Sequence, residues 1–196
     1  TTRYQTEQEP DAYQTFVARR IADGVKRAVN LLRPAEIAFG MVEIPEHLNN
    51  RRWFMRPGTV PPNPFGTVDL VKMNPPAGSE NLTEPAGPID PVLSFLAVRD
   101  LDGKPLGLYA AYSLHYVGDV GDGHISADYF AMFADRVQQL FNADRLDPPF
   151  VGILSNGTSG DVNNIDFRQQ GERRKPYEKM REVAGKVADA VYKSHQ

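Results

Sequence analysis

The sequence predicts an α/β fold: a mixed β-sheet with helices packed on it and a long proline-rich loop insertion. Three observations predict it. Amphipathic helical stripes alternate with short apolar strands in the order helix, strand, long loop, strand, strand, helix, strand, helix. A composition of 41% hydrophobic and 24% charged residues suits a chain that buries a core. And 196 residues with sixteen Gly and sixteen Pro leave room for one main domain with long loops.

Residues 1–10 are polar and expected to be frayed. Asp11 suits a helix cap, and Phe16, Val17, Ile21, Val25, Ala28, Val29 and Leu32 recur at helical spacing. Arg19, Arg20, Lys26 and Arg27 take the opposite face, and Arg33-Pro34 ends the helix. Residues 35–44 alternate as a strand, with Ile37, Phe39 and Met41 expected to point into the core, and Val42 and Ile44 as further candidates. Residues 45–91 hold most of the prolines and little periodicity, which reads as a long, functional loop. Its aromatic and basic centre is Arg51, Arg52, Trp53, Phe54 and Arg56, with Trp53 either plugged into a core or part of a working loop. Residues 92–99 and 106–114 pair around an Asp-Gly turn at 100–104. Ser126 or Asp128 opens a helix to about Asn142, burying Phe130, Phe133, Val137, Leu140 and Phe141. The wholly apolar run 150–154 has the pattern of a buried central strand. A final helix, about 176–194, carries the stripe Tyr177, Met180, Ala184, Val187 and Val191.

Composition also excludes classes. Lys plus Arg total 22 against 25 for Asp plus Glu, a net charge of −3, so the basic excess of a nucleic-acid binder is missing. With no cysteine there are no disulfides, thiol nucleophiles or thiolate metal ligands. No apolar run approaches the roughly 18 residues of a membrane span, and the first residues do not read as a signal peptide.

Two polar loops follow apolar strands, where open α/β sheets place their ligands. The first starts at His115 and runs through Asp119, Asp122 and His124. An imidazole at a strand end can ligate a metal, or it can be a core histidine satisfied by backbone. Asp119, Asp122 and His124 are further ligand candidates, or plain turn residues. His47 lies in the proline-rich region without a visible partner. The second loop, 155–164, gathers Asn156, Gly157, Gly160, Asp161, Asn163 and Asn164. Its glycines can turn backbone N–H groups toward an anion or developing oxyanion, or the loop can bond to itself. Asp161 can orient a partner side chain or bind a cation. A phosphate or sugar-phosphate site at Gly157–Gly160 is a third reading, though no helix follows the glycines directly.

At these loops the sequence resembles the neutral/alkaline ceramidase family in its N-terminal catalytic domain. The segment 154–164, LSNGTSGDVNN, is similar to the family's S-N-x-G-D-V-S-P-N. Ser113-Leu114-His115 and Ser126-Ala127-Asp128 resemble its strand ending in a metal-binding His and its S-x-D helix start. Asn50-Arg51 resembles its N-R-S-P segment, and Leu32–Ala35 its L-x-P-A. The resemblance implies that residues 1–196 form a single partial domain, the middle of a longer catalytic domain, with flanking segments of the same protein as partners. It implies zinc-dependent hydrolysis of an amide bond in a lipid-like or N-acyl substrate, within sphingolipid metabolism, and an extracellular or periplasmic location. His115 would be one zinc ligand, with the remaining ligands outside this chain. The family's serine falls on Asn163, and the proline after it on Asn164. Asparagine has no nucleophilic oxygen. Asn163, Asp161 and Arg51 are then the candidate catalytic residues, with Arg51 stabilising negative charge, and Asn156, Gly157 and Gly160 bind substrate. The alternative is a catalytically inactive ligand-binding module on the same scaffold.

Overall fold

A computed structural model describes residues 9–172 and 174–195 of the chain; most of the stretch expected to be frayed lies outside them. The chain divides into two compact units, residues 1–35 and 36–196.

The first unit is built on helix α1 (Ala12–Asn30). Its N-terminus has a reciprocal capping box. The Asp11 carboxylate accepts from the Gln14 backbone N–H at 2.7 Å, and the Gln14 side chain accepts from Asp11 N–H at 3.0 Å. No residue of α1 is buried. Phe16, like Ile21, Val25 and Val29 of the expected stripe, is exposed, with the Arg20 guanidinium 5.7 Å over its ring.

In the second unit the strands are β1 (Ala35–Glu43), β2 (Asn49–Asn50), β3 (Arg52–Met55), β4 (Val71–Met73), β5 (Leu82–Pro85), β6 (Val92–Asp100), β7 (Pro105–Tyr112), β8 (Val151–Asn156) and β9 (Val162–Asn163). Helices α2 (Asp128–Leu140) and α3 (Glu178–His195) complete it, with a 3-10 turn at Pro45–His47. The main sheet has the order β1-β6-β7-β8. Strands β6 and β7 form an antiparallel hairpin, while β7 and β8 run parallel across the α2 crossover. The sheet is therefore mixed, and α2 packs on β8 and on α3. Leu93, Phe95, Leu108, Ala110, Tyr112 and Leu154 meet Phe133, Val137, Met180, Val187 and Val191 in one core.

Three expectations are corrected. Ile37, Phe39 and Met41 are 61–67% exposed, and the opposite face of β1 turns inward, with Val42 packed on the core and Ile44 buried beyond it. Gly40 explains the choice: a Cβ there would lie 2.3 Å from the Phe95 ring, so only a glycine lets that ring pass under the strand. The apolar run 150–154 forms not a central strand but an edge, where Val151 and Ile153 are about half exposed while Gly152 and Leu154 face inward. The proline-rich stretch is not structureless either. It contains a three-stranded antiparallel sheet, β4-β3-β5, over a satellite core of Trp53, Met55 and Phe167. Trp53 is plugged into that core, and its indole N–H donates to Asn50 O at 2.9 Å.

Candidate functional site

The end of β7 and the polar loop after β8 are sewn together. The parallel register places Tyr112 beside Asn156. Beyond it, Gly157 N–H donates to Tyr112 O at 2.8 Å, and the Asn156 amide donates to Leu114 O at 2.8 Å. The buried Ser113 hydroxyl accepts from Thr158 N–H at 3.1 Å and shares a 3.0 Å hydrogen bond with the Thr158 hydroxyl. Gly157 is required at this crossing, since a Cβ would stand 2.6 Å from Ser113 Oγ. Further along, the Asn164 amide donates to Val117 O at 3.0 Å. The strand therefore stops short of the expected residue 114, and His115 lies three residues beyond the end of β7, on a segment whose Leu114 and Val117 carbonyls are held by the 156–164 loop.

The second side of the site comes from β2 and β9, which pair Asn49 with Asn163 and Asn50 with Val162. This pairing carries Arg51 against the loop. Its backbone N–H donates to Asp161 O at 2.7 Å, and its Nε donates to Gly160 O at 2.9 Å. Among the described residues both terminal nitrogens of Arg51 lack a hydrogen bond. Asp161 forms an ion pair with Arg52 rather than facing His115. A cleft of about 440 Å³ opens along this seam, lined by Asp90, Thr158, Gly160 and Asp161.

Two roles foreseen for the loop meet competition. The amides of Gly157 and Thr158 donate to Tyr112 O and Ser113 Oγ, and those of Ser159 and Val162 donate inside the loop, so all four are engaged within the fold. The Asn163 carboxamide oxygen accepts from Ile165 N–H at 3.1 Å, which leaves its NH2 as the group on offer.

Asp128, a helix opener by sequence, also organises the His115 loop. It is 6% exposed, and its carboxylate accepts from Val117 N–H, Gly118 N–H and Tyr129 N–H at 2.7–3.0 Å. Ser126 Oγ in turn accepts from Asp128 N–H at 3.0 Å. The Tyr129 hydroxyl donates to Leu114 O at 3.0 Å, and Tyr112 donates to Ile44 O at 2.7 Å. Burial pushes both phenols up, so they remain neutral donors.

His115 is half-buried, and its ring meets the Tyr116 ring edge-on at 5.0 Å. His124 turns elsewhere, with Nδ1 hydrogen-bonded to the Tyr177 hydroxyl at 2.6 Å. No group of three His, Cys, Asp or Glu side chains able to hold a metal occurs among the described residues. One imidazole is too few donors for a zinc site, which takes three or four protein ligands. The chain's own residues therefore do not fit a zinc ion.

No family model and no curated protein matches this chain. Solved structures do. The neutral ceramidase from Pseudomonas aeruginosa matches with a TM-score of 0.58 and 18% identity. A structure of a ceramidase complexed with C2 matches with a TM-score of 0.60 and 20% identity. The chain has a ceramidase-like fold. Each match covers 93% of this chain, which spans about a quarter (26%) of each ceramidase chain. Among the described residues, no helix is long and apolar enough to cross a membrane.

Proposed function

We propose that this chain belongs to a ceramidase-like hydrolase that cleaves an amide bond in a lipid-like or N-acyl substrate, with flanking parts of the same protein completing the site. The observation that carries this reading is that, in a ceramidase-like fold, the 156–164 loop bonds the carbonyls flanking His115 on one side and holds Arg51 on the other. Arg51 is the residue best placed to act. Its backbone and Nε are fixed by Asp161 O and Gly160 O, so its terminal N–H groups are held in place to meet the negative charge that develops on a carbonyl oxygen. The Asn163 NH2 is a second donor for that oxygen. Asp161, neutralised by Arg52, braces the arginine segment and is not a base.

Zinc, which the resemblance implies, would need donors beyond this chain, with His115 as one ligand. The full-length protein provides the test. His115→Ala is expected to lose most of the bound metal found in the purified wild type. Unchanged metal content would overturn the assignment of His115.

A second reading has its own observation. Asn163 stands where the family has serine, and its oxygen is engaged in a turn, so that position offers no nucleophile. An inactive module on this scaffold would bind a lipid headgroup or glycan saturably without hydrolysing N-acyl substrates. Turnover that disappears with chelator excludes it.

A further inference from the structure

Segment 44–52 is fastened at both ends, and its middle is packed into the core around one unsatisfied ring. At its start, Ile44 N–H donates to Pro91 O at 2.8 Å, and Ile44 O accepts from the Tyr112 hydroxyl at 2.7 Å. At its end, Asn49 and Asn50 pair with β9, and Arg51 N–H donates to Asp161 O. Between them lies the 3-10 turn Pro45–His47. His47 is 2% exposed, yet neither Nδ1 nor Nε2 has a hydrogen-bond partner. These two atoms are the buried side-chain polar atoms left unpaired among the described residues.

An unpaired donor and acceptor on one buried ring are unfavourable, and an apolar ring of similar size would avoid both. The charged groups that act on His47 are Lys179, Lys186 and Glu182 of α3 and Glu46 of its own turn. Burial disfavours the imidazolium first, the two lysines add to this, and the carboxylates oppose it less strongly.

We propose that the Pro45–His47 turn is a pH-sensitive joint: protonation of His47 releases the turn from the core and loosens the Asn49–Asn163 pairing that holds Arg51 in the candidate site. With the turn in place the His47 pKa is lowered from 6.5 to about 4, while in the released segment it returns toward 6.5. The neutral ring therefore favours the closed state fully above about pH 6.5. That preference erodes as pH falls toward 4 and levels off below. Opening at pH 5.0 is expected to be about 30-fold more favourable than at pH 7.5, from the linkage relation alone.

Hydrogen exchange in the full-length protein at pH 7.5 and 5.0, corrected for intrinsic rates, is the test. It is independent of substrate. The Leu48 and Arg51 amides, bonded to Pro45 O and Asp161 O, are expected to open about 30-fold more at pH 5.0. Core amides of α2 are expected to hold. His47→Phe removes titration and keeps an apolar ring, and His47→Gln removes titration with a polar side chain. Each folded variant is expected to lose the acceleration. His195→Gln, which removes another histidine lowered by burial, is expected to keep it. Equal protection of the wild-type segment at both pH values overturns the proposal. So does equal acceleration in the wild type and a non-titrating variant.

Discussion

Gly157 and Asp128 show how single residues fix the candidate site. A methyl at Gly157 meets Ser113 Oγ at 2.6 Å, at a crossing where both backbones are hydrogen-bonded. Gly157→Ala is expected to destabilise the protein by about 1–3 kcal/mol through overpacking, measured as the shift of the urea midpoint. A loss under a few tenths would mean that the crossing is looser. Asp128→Ala leaves three backbone N–H groups without their carboxylate, at a cost of about 2–4 kcal/mol. Its loop-specific signature is faster exchange at Val117 and Gly118 than in α2. The sequence shows that both loops follow strands, and that was enough to place them together. It does not show which polar atoms would pair. Asn156 reaching Leu114 O and Asn164 reaching Val117 O bridge more than 40 residues, and no local pattern encodes such partners.

At the scale of elements, periodicity identifies α1, α2, α3 and the β6–β7 hairpin, but it does not decide which side of β1 is buried. The large residues Ile37, Phe39 and Met41 point to one face; Gly40 and the Phe95 ring set the other inward. The two phenylalanines separate the faces by measurement. Phe95→Ala is expected to cost about 3–5 kcal/mol as a core cavity, whereas Phe39→Ala in this chain is expected to cost less than about 1 kcal/mol. Similar costs would show that the outer face is also packed. Strands β3, β4 and β5 are not legible in the sequence because three or four residues in a proline-rich stretch carry no readable period. Helix α3 has a pH window of its own. Partial burial works to raise the Glu182 carboxyl, but hydrogen bonds from Lys179 and Arg174 and the charges of both outweigh it and bring it down to about 2. A lowered carboxyl stabilises above its unfolded pKa of about 4.5, and that contribution is lost as pH falls toward 2. Glu182→Gln is expected to flatten the stability curve in that interval by about 1 kcal/mol, below the window of His47.

Across the second unit, one face of the main sheet carries the core and the other carries exposed apolar side chains. Leu96, Tyr109 and Ile153 align across β6, β7 and β8, with Tyr109 and Ile153 about half exposed. The apolar run of β8 reads as a buried central strand because both faces are apolar; its place at the sheet edge is a property of the topology, which a local window does not contain. The ceramidase-like fold spans about a quarter of each solved ceramidase chain it resembles, and the seam at β7, β8 and β9 is the part of it where polar chemistry gathers. Within that seam Arg51, held by Gly160 and Asp161, has free terminal donors beside the Asn163 NH2, so the proposed activity is expected to depend on it. Steady-state hydrolysis of an N-acyl substrate by the full-length protein measures this directly. Arg51→Ala is expected to lower kcat/KM by about 10²–10³-fold, with Arg51→Lys recovering part of the loss. Wild-type turnover that is unchanged in Arg51→Ala would contradict the account, as would a wild type that binds the substrate but never turns it over.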